Sequence, residues 1–296
     1  LTADETYLYL CASDRLVCLN REGKTAHVTL PASDVAYESS KGIFYVAAKQ
    51  QGIATLREEE GSLKQVGSVA LPNGPTQLVA WKSFIQNGKY YATPGSRWGD
   101  RNFMAGDVMC YDGAIWSGLS NIDSISFQTG FPFMDILNLA IDPGDDTHFF
   151  LTSWGEGLYE FRNGVFYRLY NQFNSPLVTL LPGRFCRVDG ARFDEKGNLW
   201  VLNSTYGLSK VSDTTLWVLK PDGKWVGFYY ANMPSAPTWS DILVTSNGQI
   251  WCNSVRAVSY GVFVLDQHGT IWDTSDDKSR FIASFLVQDN KTLNPY

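Results

Sequence analysis

Apolar and polar positions alternate in short runs along the whole chain, and Gly, Asp or Asn interrupts them every few residues. Three stretches of the C-terminal half repeat one unit. They are LAIDPGDDTHFFLTSWGEGLYEF from Leu139 to Phe161, ARFDEKGNLWVLNSTYGLSKV from Ala191 with LWVLKPDGKWVGFYY following to Tyr230, and ILVTSNGQIWCNSVRAVSYGVFVLDQHGTIWDT from Ile242 to Thr274. Each has an apolar strand, a tight turn, a strand opening with a large aromatic, a looser loop and a further hairpin. The aromatics Phe149, Trp200 and Trp251 recur about every 51 residues, a period typical of propellers and solenoids. A unit of this kind cannot bury its own faces and must stack on its neighbours.

The same rhythm runs through the N-terminal half. Thr6 to Cys11, Gly42 to Ala48 and Lys89 to Thr93 read as strands of earlier units, and Asn87-Gly88, Asp112-Gly113, Asn163-Gly164, Asp222-Gly223 and Asn247-Gly248 as their turns. Asn-Gly and Asp-Gly between β-rich runs signal hairpins, because both central residues of such turns need positive φ. Taking Tyr9, Phe44, Tyr90, Phe149, Trp200 and Trp251 as markers predicts an all-β chain of about six four-stranded units, a β-propeller. The first unit lacks an innermost strand, whereas Phe281 to Val287 reads as one with no unit after it. Closure by pairing of Phe281–Val287 with Thr6–Cys11 is therefore expected, since it removes exposed sheet edges. No long segment carries apolar residues at i, i+3, i+4, i+7 without Gly or Pro interrupting. Residues 1–296 are read as one propeller region, with a boundary near residue 75 if two partial propellers are present.

Composition agrees with this picture. Of 296 residues 14% are aromatic, 26 are Gly and only 18% are charged, which suits short strands and tight turns. The net charge of −6 comes with no basic run, so nucleic acid is excluded as a partner on electrostatic grounds. The 5 cysteines are widely spaced and form no CxxC pair, and they read as free, buried thiols. The chain opens at Leu1 without Met, signal peptide or membrane-spanning segment, and is read as processed or as part of something longer.

FDEKGNLWVL (Phe193 to Leu202), TSNGQIWCN (Thr245 to Asn253) and LDQHGTIWDT (Leu265 to Thr274) resemble the two-component-regulator propeller repeat, with Asn203 and Asn253 where that repeat usually has Thr or Ser. From about Trp81 to Tyr296 the chain resembles more closely the PorZ-type β-propeller proteins of type IX secretion. DILNLAIDPGDDTHFFLTSWGEGLYEFRNG, GARFDEKGNLWVLNS and GVFVLDQHGTIWDTSDDKSRF carry that likeness. The resemblance implies an extracytoplasmic surface protein with two propellers and a C-terminal sandwich, of which this chain would be a fragment, part of a seven-bladed or a double propeller. In physical terms the motif is structural: Asp or Asn caps the turn, Gly takes positive φ and the aromatic fills the space between blades.

No nucleophile elbow, zinc-protease helix, phosphate loop or dinucleotide fingerprint occurs. His27, His148 and His268 fall in different units at turn or strand-edge positions, so no metal or cofactor is expected. Asp142, Asp145 and Asp146 offer oxygen ligands of the type Ca²⁺ takes, but no further ligand joins them and they read as a solvated turn. One rim stands out. The loops Pro94 to Gly106, Thr152 to Gly157, Asn203 to Thr215 and Asn253 to Gly261 bring Arg97, Trp98, Arg101, Trp154, Glu156, Tyr206, Arg256 and Tyr260 to one face. Aromatic and Arg enrichment marks binding hot spots. The expected function is a noncatalytic surface module docking protein or glycan on that rim. The alternatives are the periplasmic ligand-sensing propeller of a hybrid sensor histidine kinase, and glycan cleavage.

Overall fold

The computed structural model describes residues 1–98, 102–181, 183–204, 214–234, 237–255, 260–283, 286–288 and 291–293. Its chain divides into two compact units, Leu1–Gly74 and Pro75–Tyr296.

In the first unit, β1 (Thr2–Ala3), β2 (Tyr7–Cys11), β3 (Leu16–Asn20) and β4 (Thr25–Val28) form one antiparallel half-sheet. A second half-sheet comprises β5 (Asp34–Glu38), β6 (Ile43–Ala47), β7 (Ile53–Glu59) and β8 (Ser62–Gln65). The halves join into one 8-stranded sheet of order β1-β2-β3-β4-β8-β7-β6-β5, through the parallel pairing of His27 with Ser62. Tyr9, Leu16 and Cys18 of the first half pack on Phe44, Val46 and Leu56 of the second, so each half buries the other's apolar face.

The second unit holds four 4-stranded antiparallel sheets, arranged as the blades of a propeller. Its first blade is β9 (Lys82–Gln86), β10 (Lys89–Thr93), β11 (Met109–Tyr111) and β12 (Trp116–Ser117), and an α-helix, α1 (Ile122–Thr129), follows it. The second blade is β13 (Ile136–Asp142), β14 (Asp145–Ser153), β15 (Leu158–Arg162) and β16 (Val165–Tyr170). The third is β17 (Val188–Phe193), β18 (Leu199–Asn203), β19 (Leu216–Leu219) and β20 (Trp225–Phe228). The fourth is β21 (Trp239–Val244), β22 (Gln249–Ser254), β23 (Gly261–Asp266) and β24 (Lys278–Ile282), and a hairpin of β25 (Leu286–Gln288) with β26 (Lys291–Leu293) ends the described chain. Three apolar clusters fill the spaces between successive blades.

Two expectations need correction. The expected six units do not form one six-bladed ring, because the first eight strands make a separate sheet. Closure between Phe281–Val287 and Thr6–Cys11 does not occur. Phe281 pairs with Phe263 inside the fourth blade, Val287 pairs with Thr292, and β2 pairs with β1 and β3. Thr2 and Ala3 supply the innermost strand that the repeat pattern leaves out of the first unit, a two-residue strand too short to show in a hydrophobic pattern.

Register also moves the aromatic markers. Ala140 opposes Phe150, Arg192 opposes Trp200 and Leu243 opposes Trp251, so Phe150, not Phe149, matches Trp200. Phe150 and Trp200 each belong to the core shared with the following blade, as Tyr91 does in the first blade. Tyr90 instead meets Trp116 edge-on across its own sheet, with ring centroids 5.8 Å apart. Trp251 has the same facing position in the fourth blade, but it is only half-buried. Among the described residues of this unit no further 4-stranded sheet covers it.

Candidate functional site

The loop after β10 is built by close backbone approach and by one buried acid. A Cβ on Gly95 would stand 1.9 Å from the Ile136 carbonyl oxygen, so only glycine lets the loop run against β13. Asp135, 2% exposed, accepts hydrogen bonds from the backbone N–H groups of Asn102 (3.0 Å) and Met104 (2.9 Å), fixing the far end of the loop. Trp98 lies between these anchors at φ 75, a left-handed conformation that a bulky side chain adopts only when its surroundings enforce it.

Arg97 turns inward. It is 4% exposed, and its Nη2 donates to Asp189 Oδ1 at 2.7 Å and to the Trp239 carbonyl, bridging the first, third and fourth blades. Lys82 repeats the pattern, donating to the Ser240 carbonyl at 2.8 Å and pairing with Asp241 at 3.1 Å. The four innermost strands thus surround a polar centre. Burial pushes the Asp189 carboxyl above its ordinary range, against the pull of Arg97. Burial likewise lowers Lys82, against the pull of Asp241.

Aromatic rings enclose these charges. The Arg97 guanidinium sits 4.7 Å from the Trp98 ring and 4.9 Å from that of Trp154. Arg187 lies 4.2 Å over Trp154 and 5.6 Å from Phe185. Cations and rings alternate through the loops of three blades, each contact worth about 0.5–2 kcal/mol.

Of the residues expected on the rim, Trp98 (39% exposed) and Tyr260 (47%) reach the surface, while Arg97 (4%), Trp154 (2%) and Glu156 (3%) lie beneath it. Arg101, Tyr206 and Arg256 fall outside the described residues. Sequence reading missed Asp135, Arg187 and Asp189. Two of these had a signal: Asp135 and Asp189 are isolated acids at the head of innermost apolar runs, in FMDILN and CRVDGA. Arg97, Asp189, Lys82 and Asp241 are committed to opposite charges or carbonyls. The exposed groups, Trp98 and Tyr260, are aromatic, and among the described residues of the rim no nucleophile and base are brought together.

A second polar cluster lies between the second and third blades. His148 places Nδ1 2.9 Å from Asp142 Oδ2 and Nε2 3.1 Å from Glu160 Oε1, an arrangement met by an imidazolium donating twice. Glu160, 1% exposed, also accepts from Arg162 Nε at 2.7 Å and from the Tyr170 hydroxyl at 2.8 Å. His148 is thus no simple edge residue. The carboxylates of the DPGDD turn go to separate partners: Asp142 to His148, Asp145 to Thr147 and Asp146 to Asn87. Among the described residues no group of three or more His, Cys, Asp or Glu is placed to hold a metal ion.

No protein-family model matches the chain, and no curated protein does. Among solved structures it is similar to PorZ of Porphyromonas gingivalis, described as an essential bacterial surface component of the type-IX secretion system, at 26% identity and a TM-score of 0.67. That likeness covers 97% of this chain and 38% of the PorZ chain, so the chain spans well under half of its relative. Weaker likenesses are to the extracellular domain of BT3049 from B. thetaiotaomicron, assigned to a hybrid two component system (13% identity, TM-score 0.42, 94% of this chain and 35% of that one), and to a virginiamycin B lyase from Staphylococcus aureus (13%, 0.44, 95% and 85%). The chain has an all-β propeller fold related to that of PorZ-type proteins.

Proposed function

We propose that this chain is a noncatalytic, extracytoplasmic binding module of the PorZ type, which docks a protein or a surface glycan on the loop rim of its second unit. The supporting observation is the construction of that rim. Trp98 is held at the surface in a strained conformation by a buried Arg97–Asp189 tie and by stacking, as preorganised binding residues are. Tyr260, at the same end of the fourth blade as the Ser254–Gly261 pairing, supplies a second exposed ring. The similarity to PorZ over almost the whole chain supports the surface location and the link to protein secretion. On the same reading the two units are parts of two larger propellers exchanging at Gly74–Pro75, and half-buried Trp251 awaits a further blade.

The experiment is a Trp98→Ala/Tyr260→Ala double variant, checked for an unchanged Tm and assayed for binding to purified surface glycan and to type IX cargo protein. Loss of binding supports the rim. Unchanged binding moves the site elsewhere, and hydrolysis of a glycan panel by the wild-type protein overturns the noncatalytic reading.

A further inference from the structure

The wedge between the first and second blades of the second unit is covered over the outer strands of the second blade and open at the end that carries the β13–β14 and β15–β16 turns. β11 and β12 have only 3 and 2 residues, and α1 with Phe133 covers the outer strands in their place: Phe133 meets Tyr159 edge-on at 5.0 Å, and Tyr159, Phe161 and Leu169 share one buried cluster with Ile125. At the turn end no residue of β15 or β16 lines the gap. The result is a half-open cavity of about 240 Å³, bounded by Tyr91, Val108 and Cys110 on one side and Leu139, Ile141 and Phe149 on the other. Phe149 registers the difference. Its counterparts Leu199 and Ile250 in the next two blades are 1% and 0% exposed. Phe149 stays half-buried, although one ring face stacks on Phe161 at 4.7 Å.

An apolar cavity of about 150 Å³ is enough to hold benzene, so this one admits a substituted ring. Asp146, at the mouth, is the one charged residue among those lining it. Its carboxylate accepts from the Asn87 amide, which holds it in place with lone pairs to spare. Burial, with Cys110 and Asp146 nearby, pushes the Tyr91 phenol to about 12, so this wall stays uncharged at neutral pH. A carboxylate beside an apolar slot favours a cation with an apolar body over an anion of the same shape.

We propose that this wedge is a binding site for a small amphiphilic amine, its apolar body between Tyr91, Leu139, Ile141 and Phe149 and its ammonium on Asp146. The cavity opens beside the β13–β14 and β15–β16 turns, at the rim opposite the β14–β15 loop that carries Trp154. The site therefore stands independently of the proposed docking rim.

The test uses the full chain with three probes of one shape: 2-phenylethylamine, 2-phenylethanol and 3-phenylpropionate. Binding is read by calorimetry, and site occupancy by the rate at which iodoacetamide alkylates Cys110, followed by peptide mass spectrometry. The amine should bind roughly three- to fivefold more tightly than the alcohol, the size of a surface-exposed ion pair, and should slow Cys110 alkylation. The propionate should bind most weakly. Asp146→Asn should bring amine and alcohol to equal affinity, and Ser120→Trp, at an exposed lining position, should abolish both. Absence of amine binding at millimolar concentration, equal binding of amine and propionate, an unaltered preference in Asp146→Asn, or binding without protection of Cys110 would each overturn the proposal.

Discussion

Trp200 and Trp251 have equivalent positions and unequal surroundings, and this sets their expected energetics. Trp200 is 0% exposed, stacks on Phe228 at 5.1 Å and donates its indole N–H to Asp194. Trp200→Ala should cost about 3–5 kcal/mol through lost burial and the cavity left behind. Trp251→Ala, on a half-covered face, should cost roughly 1–2 kcal/mol, and urea denaturation measures both. His148 carries a pH dependence. The Glu160 hydrogen bond, reinforced by Asp142 and opposed by burial, raises its pKa above the ordinary 6.5. Its contribution to stability is therefore complete below that value and lost as pH rises through the folded-state pKa. Glu160 runs the other way. Burial pushes its carboxyl up, but the hydrogen bonds from His148, Arg162 and Tyr170 outweigh that and hold it below 4.5, so its contribution is lost as pH falls. The Tm should decline as pH rises from the ordinary value of 6.5 through the folded-state pKa, and His148→Gln should flatten that slope; an unchanged slope would assign it to other groups.

At the scale of elements, the buried ties between blades matter more than any surface pair. Removing Asp189 alone leaves Arg97 buried and uncompensated, so Asp189→Ala should cost about 3–5 kcal/mol. The double variant Arg97→Met/Asp189→Leu should recover much of that loss, as a chemical-denaturation cycle would show. The hairpins and their turns were legible in the sequence because Asn-Gly and Asp-Gly dictate backbone geometry locally. Facing was not. In FF at 149–150 and YY at 90–91 two adjacent aromatics compete for one position, and only the pairing register selects Phe150 and Tyr91. The rim was legible as a set of loops but not as surface and interior. Whether Arg97 and Trp154 face solvent depends on Asp189 and Arg187, which belong to a different blade.

For the whole molecule, Leu1–Gly74 and Pro75–Tyr296 each have their own core. Residues 71–76 between them are exposed and lack regular structure, as protease-sensitive linkers do. Limited proteolysis should cut there first and release fragments that keep their β signal by circular dichroism. First cleavage within a blade would instead mark that blade as the weakest part.

The hydrogen bond from Arg97 to the Trp239 carbonyl spans 142 positions in sequence. At roughly 5–20 residues per second of synthesis, Arg97 waits about 7 to 28 seconds for that acceptor after it has itself been made. The Arg97 charge meets its counterpart sooner, when Asp189 is made 92 positions on, after about 5 to 18 seconds, but until Trp239 follows, the loop bearing Trp98 cannot take its final form. The loop bearing Trp98 therefore matures only once the chain has reached the first strand of the fourth blade, and a chain cut short before Trp239 would keep the first blade without it.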